Sequence, residues 1–509
     1  MEYLLGVDVG TSSCKALLTR ADGSPAESAT VEYHPSTPEP GAVEMDPETL
    51  WSAACECISK LASRVPRALS QVTACAATGQ MRGLIALGED LRPLRPAILW
   101  NDNRCAGQLE ALRRGNAAEI EALTRNGLNT MCTLPKILWL REHEPHVLSR
   151  MRLFVFPKDY IAFKLTGVLS TDVSDASGSS LFSPETVAWE PFLIQQAGLR
   201  PGQLPEIRAS NEVTGSLTRE AAAATRLPAG LPVAVGMSDA TAEMLALGIT
   251  GPELAKIRLG TSGAVSTVVE ELPEHGTGLY CWSYLDGRRW MLDVNTRSCA
   301  GAVEWARRLL YGDTGNGDRN NADRQYAAMI EEAGTVAAGS DGVLFHPYLR
   351  GEDAPYWDST LTGSLSGLKE HHGRAELTRA VYEGTAFALR EAFGVFGSVV
   401  SAVSSFRFTG GGTLNPLWLR IVANVLGIGG SVSRAPGAAY GASLCAGLAA
   451  GVYADPEEVA AAAENTLTDR IVPDSQLQAT YEELYHRYRA TAPAGEQVPR
   501  HAHGKDANV

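Results

Sequence analysis

The feature that most constrains this chain is a unit that occurs twice, about 250 residues apart, in which an apolar strand enters a Gly-Thr-Ser turn and leaves as a second apolar strand. In the first copy Leu4 to Val9 leads through Gly10-Thr11-Ser12-Ser13 into Lys15 to Thr19. In the second, Ala255 to Leu259 leads through Gly260-Thr261-Ser262-Gly263 into Ala264 to Val269. Each copy reads as a β-hairpin. A repeat of half-chain length predicts two related domains facing each other, with both turns converging on one ligand in the cleft between them. The boundary falls near Gly248 to Gly251, which gives an N-terminal domain over 1–248 and a C-terminal domain over 249–491. The last residues, 492–509, are polar and aperiodic and read as a loose tail, with His501 and His503 solvated rather than metal-bound.

Helical patterns fill much of the remainder. Pro47 to Ser63 begins with a helix-start proline, and Arg374 to Phe396 carries Leu377, Val381, Gly384 and Ala388 on one stripe. Strands alternating with such helices indicate layered α/β domains, and 509 residues are enough for two or three of them. A net charge of −14 argues against a surface that neutralises nucleic-acid phosphates. The nine cysteines include no CxxC pair, and the close Cys55 and Cys57 have no matching second pair, so neither a disulfide scaffold nor a structural zinc site is indicated. The N-terminus opens directly on a strand pattern, and no uninterrupted apolar run is long enough to span a bilayer. A cytoplasmic protein with no membrane partner is expected.

Asp8 lies inside the apolar run Gly6-Val7-Asp8-Val9, where a carboxylate is costly to bury without a partner. Two readings are open: an exposed strand end whose Asp8 bonds to the turn amides, or a magnesium site beside a turn that holds phosphate oxygens through N–H groups and hydroxyls. The turn matches neither GxxxxGK[ST] nor GxGxxG and is followed by a strand, so a standard P-loop or Rossmann motif is excluded. Asp239 follows the apolar run Val233 to Met237 at a strand-to-helix junction. It is either a helix cap or a cleft carboxylate placed to accept a proton from an attacking hydroxyl. Gly410-Gly411-Gly412-Thr413, ahead of Asn415-Pro416, reads as a backbone-ligand approach at a helix start, or as a loop with Asn415 as a simple cap. Gly79-Gln80-Met81-Arg82-Gly83 and Trp100-Asn101-Asp102-Asn103-Arg104 combine polar, aromatic and cationic groups that suit a sugar. The alternative for the second segment is a local Asp102–Arg104 ion pair with Trp100 in the core.

With these elements in order, the chain resembles the FGGY carbohydrate kinases over about residues 3 to 490, and within them the members that phosphorylate xylulose. The most specific segments are Leu99 to Arg104, Leu134-Pro135-Lys136-Ile137-Leu138-Trp139, Phe156-Pro157-Lys158-Asp159-Tyr160 with Leu165-Thr166-Gly167, and Gly363 to Gly367 running into Glu376 to Gly384. The resemblance implies two ribonuclease H-like domains of the actin and hexokinase type, a small sugar or polyol bound deep in the cleft, ATP above it, and possible homodimers. By position it implies Asp239 as catalytic base and Asp8 for Mg2+. Gly10, Thr11, Ser12 and Ser13 with Gly260 and Thr261 become phosphate loops, and Gly411, Gly412 and Asn415 fall at the adenosine site. Met81, Arg82, Trp100 and Asp102 join Asp239 on the sugar side. Two departures bear on substrate: such members commonly have Met-His where this chain has Met81-Arg82, and Asn after the catalytic Asp where this chain has Ala240. Hydrogen-bonding groups of this kind can discriminate substrates by several orders of magnitude, so the kinase expectation is firmer than the xylulose one.

Overall fold

A computed structural model describes residues 2–276, 278–312 and 319–492. The tail from residue 493, with its two histidines, lies outside the described residues. Two mixed sheets dominate. In the first, β1 (Tyr3–Val9), β2 (Ser13–Arg20) and β3 (Pro25–Glu32) form an antiparallel meander, and β4 (Val72–Gly79) and β5 (Pro232–Ser238) extend it in parallel on the other side of β1. The second sheet repeats this arrangement with β6 (Leu254–Leu259), β7 (Gly263–Val269), β8 (Arg289–Thr296), β9 (Ser405–Thr409) and β10 (Gly430–Ser433). The two hairpins read from the sequence are β1–β2 and β6–β7. Edge strands Val213–Ser216, Tyr280–Tyr284 and Leu467–Ile471 complete the sheets.

The helices that matter for the cleft are α1 (Pro47–Arg64), α2 (Val173–Ser177), α3 (Asp239–Ala246), α4 (Ala300–Tyr311), α5 (Arg374–Gly394), α6 (Pro416–Leu426) and α7 (Ala438–Ala449). Asp46 caps α1 by accepting from the Glu48 N–H, and Pro47 occupies the first turn, where no helical N–H is lost. The stripe predicted from Arg374 is α5, which buries Val381, Gly384 and Ala388 and ends at Gly394, two residues short of Phe396. All nine cysteines are free thiols. Among the described residues no helix is long and apolar enough to cross a membrane.

Each sheet has its own apolar core, and a third cluster joins them through Leu4, Ala74, Met244, Leu245, Ala439 and Leu444. Its centre is α7, a helix from late in the chain that packs on the first sheet and on α3. The approach is at backbone distance. A Cβ on Gly6 of β1 would lie 1.8 Å from the Ala439 carbonyl oxygen, and one on Gly441 would lie 1.8 Å from the Ala242 carbonyl oxygen. A side chain at either position forces rigid backbone apart, which no rotamer change relieves. Gly441→Ala is expected to lower stability by at least about 2 kcal/mol in urea unfolding, because overpacking here displaces two helices together. Ala at Gly437, which meets nothing nearby and starts the same helix, is the matched control and is strained only by its positive φ of 85°.

Candidate active site

The three parallel strands of the first sheet end level with one another. Val9 of β1 pairs with Gly79 of β4, and Gly79 pairs with Ser238 of β5. The segments that follow, Gly10 to Ser12, Gln80 to Arg82 and Asp239, therefore emerge side by side at the carboxyl edge of the sheet, where open α/β sheets hold ligands. Gln80 ties two of them together: its backbone N–H donates to Val9 O and its Nε2 to Gly10 O, both at 3.1 Å. Tyr33 Oη donates to Gly10 O at 2.7 Å. Trp100 is not a core residue. It is 36% exposed, and its Nε1 donates to Thr11 Oγ1 at 2.8 Å.

The second sheet builds a matching edge. The β6–β7 turn uses its carbonyls to cap α4, with Ala300 N donating to Gly260 O at 2.7 Å and Cys299 N to Thr261 O at 3.0 Å. Among the described residues the amides of Thr11, Ser12, Gly260, Thr261 and Ser262 carry no hydrogen bond, so both turns present free donors suited to phosphate oxygens. The glycine loop after β9 lies directly on the end of β6. A Cβ on Gly410 would sit 2.6 Å from Leu259 O, and one on Gly412 would sit 2.5 Å from the Trp418 ring. Gly411 beside them meets nothing. Asn415 caps α6, its side chain accepting from Trp418 N at 3.0 Å.

Asp8 does not bond to the turn amides. Its Oδ1 is buried without a partner, as are Thr78 Oγ1, paired with Asp8 across the sheet, and Gln80 Oε1. Burial pushes the Asp8 carboxyl up to about 6, partly offset by Lys15, whose Nζ donates to Pro436 O at 2.8 Å. An unsatisfied carboxylate with neighbouring neutral oxygens is a donor set that fits a hard divalent cation such as Mg2+. The cap of α3 is Ser238, which accepts from Thr241 N. Asp239 is thereby released from capping. Its Oδ1 accepts from Ala240 N at 2.9 Å, and the nearby Met81 amide also favours the ionised carboxylate. Burial first, and the charge of Asp8 second, push Asp239 up to about 7, where a carboxylate can exchange protons near neutral pH. Behind it, fully buried Lys158 pairs with Asp159 at 2.5 Å and Asp172 at 3.0 Å and lies 3.7 Å from Asp175. Asp175 has no hydrogen-bond partner on either oxygen and faces the field of Asp239.

The proposed sugar side divides. Met81 and Arg82 follow β4 next to Asp239. Asp102 is taken up in the local ion pair: its oxygens accept from Val43 N at 2.6 Å and Arg104 Nε at 2.9 Å, and Arg104 reaches on to Glu44 at 2.7 Å. Arg82 has φ +66°, and its guanidinium carbon lies 5.6 Å from the ring centroids of both Tyr280 and Trp282. Sequence reasoning missed those two aromatics and Thr78. The alternation Tyr280-Cys281-Trp282-Ser283-Tyr284 marks a strand, but nothing local says that one of its faces meets a residue some 200 positions earlier.

Comparison with known proteins matches this geometry to one family. The N-terminal domain of the FGGY family of carbohydrate kinases matches residues 3–246 and its C-terminal domain residues 255–450. The chain belongs to the FGGY family of carbohydrate kinases. It is 31% identical to a xylulose kinase of Lactococcus lactis over 95% of each chain, and 26% identical to a gluconokinase of Bacillus subtilis over 83% of this chain and 82% of that one. The crystal structure of a xylulose kinase from Rhodospirillum rubrum superposes with a TM-score of 0.88 at 28% identity, covering 96% of this chain and 98% of the other. This FGGY kinase is therefore a sugar kinase of α/β architecture.

The raised carboxylates have a cost that can be measured. Between about pH 4 and pH 7 folded Asp239 holds a proton that the unfolded chain has lost, so its contribution to stability falls as pH rises through that window. Asp239→Asn removes the penalty. It is expected to be more stable than the native protein by about 1–3 kcal/mol at pH 8, with the difference vanishing towards pH 4, in urea unfolding at the two pH values.

Proposed function

We propose that the protein transfers the γ-phosphoryl group of ATP to a hydroxyl of an open-chain sugar, with Asp239 accepting the hydroxyl proton. In this reading residues 1–248 carry the sugar side and 249–491 the nucleotide side. The observation that carries it is the position of Asp239: freed from capping by Ser238, across the single strand β4 from β1 with its turn and Asp8, and poised near neutral pH. Phosphoryl transfer needs positioning and charge stabilisation more than covalent chemistry from the protein. The free amides of the two turns hold phosphate oxygens, and the glycine loop after β9 lets the nucleotide approach the backbone closely. Mg2+ held by Asp8 would supply positive charge between the phosphate oxygens. Ala240 N orients the base by donating to it, and Trp100 covers the mouth of the first turn.

Overall similarity to relatives named xylulose kinases makes D-xylulose, giving D-xylulose 5-phosphate, the first substrate to test. A second reading, a sugar acid, is favoured by Arg82 and is in keeping with the gluconokinase among the relatives. Coupled ADP release with Mg-ATP is expected to depend on added sugar, and Asp239→Ala is expected to lose about 10²–10⁴-fold in kcat. Retention of more than about a tenth of the native rate by that variant would remove Asp239 from the role of base.

A further inference from the structure

Arg82 is 5% exposed, yet among the described residues no carboxylate or carbonyl accepts from its guanidinium, and its Nε is buried without a partner. The guanidinium lies beside the stacked rings of Tyr280 and Trp282, its carbon 5.6 Å from both centroids. That contact engages its charge but offers its N–H groups no lone-pair acceptor. Trp282 adds a second orphan: it is 5% exposed and its Nε1 is also buried and unpartnered. Arginine and indole N–H groups donate only, so what they lack is an acceptor, and the fixed positive charge asks for a negative one.

The group is held in place before any ligand arrives. Arg82 adopts a left-handed backbone conformation that side-chain-bearing residues avoid, and its carbonyl is held by Lys136 Nζ at 3.0 Å and Thr133 Oγ1 at 3.3 Å. Gly178 makes room for it: a Cβ there would lie 2.7 Å from Met81 Cε and 3.1 Å from Arg82 Cγ. Met81, next in sequence, follows the strand whose end pairs with Ser238, and its amide acts on the Asp239 carboxylate, so the subsite adjoins the proposed base. Ala240 beside Asp239 offers a substrate only a methyl group.

From this geometry we infer that Arg82 and Trp282 form a carboxylate-binding subsite and that the preferred substrate is an open-chain sugar acid rather than a neutral ketose. The planar fork of Arg82 pairs two N–H groups with the two oxygens of one carboxylate, which fixes the chain at one end and leaves a hydroxyl for phosphorylation. The inference rests on the kinase reading for its product, a phosphorylated sugar acid, but binding tests it independently of turnover.

The experiment is titration calorimetry of the full-length protein with two matched pairs, D-xylonate against xylitol and D-gluconate against D-glucitol, at fixed ionic strength, in native protein, Arg82→Gln and Arg82→Lys. The native protein is expected to bind an acid at least about 10-fold more tightly than its matched polyol, as a charge-assisted hydrogen bond implies. Arg82→Gln is expected to abolish the preference and Arg82→Lys to keep part of it, which a merely misfolded variant would not do. Equal affinity for acid and polyol in both pairs, or a preference that survives Arg82→Gln, overturns the subsite. Coupled ADP release on the same compounds and on D-xylulose separates the two readings. Acid-selective binding without sugar-dependent turnover leaves the subsite standing and the kinase reading failed, whereas turnover that favours D-xylulose over both acids overturns the substrate inference and leaves the kinase reading intact.

Discussion

The cleft depends on a contact made without side chains. Helix α7 lies against β1 and α3 so closely that Gly6 and Gly441 have no room for a Cβ. Backbone packed on backbone cannot adjust by changing rotamers, so the relation of α7 to the first sheet is rigid. The same helix comes from the second half of the chain, and the residues just before it receive Lys15 through Pro436 O. Thr19 and Ser443 share a hydrogen bond of 2.7 Å along the contact. The edge that carries Asp8, Gln80 and Asp239 is thus braced by a segment more than 400 residues from β1 in sequence.

On that rigid edge the protein keeps polar groups that folding alone would not retain. Asp8, Asp175 and Arg82 have buried atoms lacking hydrogen-bond partners, while Asp102 accepts from Val43 N and Arg104 Nε, and Arg104 reaches on to Glu44 as an ion pair. Buried polar groups are ordinarily satisfied, so the unpartnered atoms of Asp8, Thr78, Gln80 and Arg82 at the ends of β1 and β4 suit partners supplied from outside. The raised Asp239 carboxyl corresponds to a cost of about 1–3 kcal/mol above pH 7, a substantial share of what holds a domain together. Function is the physical reason to retain it.

How much of this was legible varied from residue to residue. The duplicated hairpins, their two Gly-Thr-Ser turns and the strand-to-helix junction at Asp239 were local patterns, set by strand alternation and turn chemistry, and the elements stand where they were read. The choice at Trp100 between core and cleft was not legible, because it turns on Thr11 lying within reach of the indole. The choice at Asp102 was half legible: the partner Arg104 is two residues away, but the bond from Val43 comes from a separate strand region. Ser238 took the cap that Asp239 was equally suited to by type, a matter of which side chain points back along the helix start.

The sequence by itself determined the class of chemistry. Two Gly-Thr-Ser turns in apolar hairpins, a carboxylate inside a strand and another at a helix start point to phosphoryl transfer, because each depends on residue type and short-range geometry. Only the tertiary structure decided what meets what across the cleft. Asp239 is raised because burial and Asp8 act on it together, and Arg82 stacks on Tyr280 and Trp282 from the far sheet and is left without an acceptor. Burial and electrostatic fields are sums over neighbours distant in sequence, so no local pattern records them.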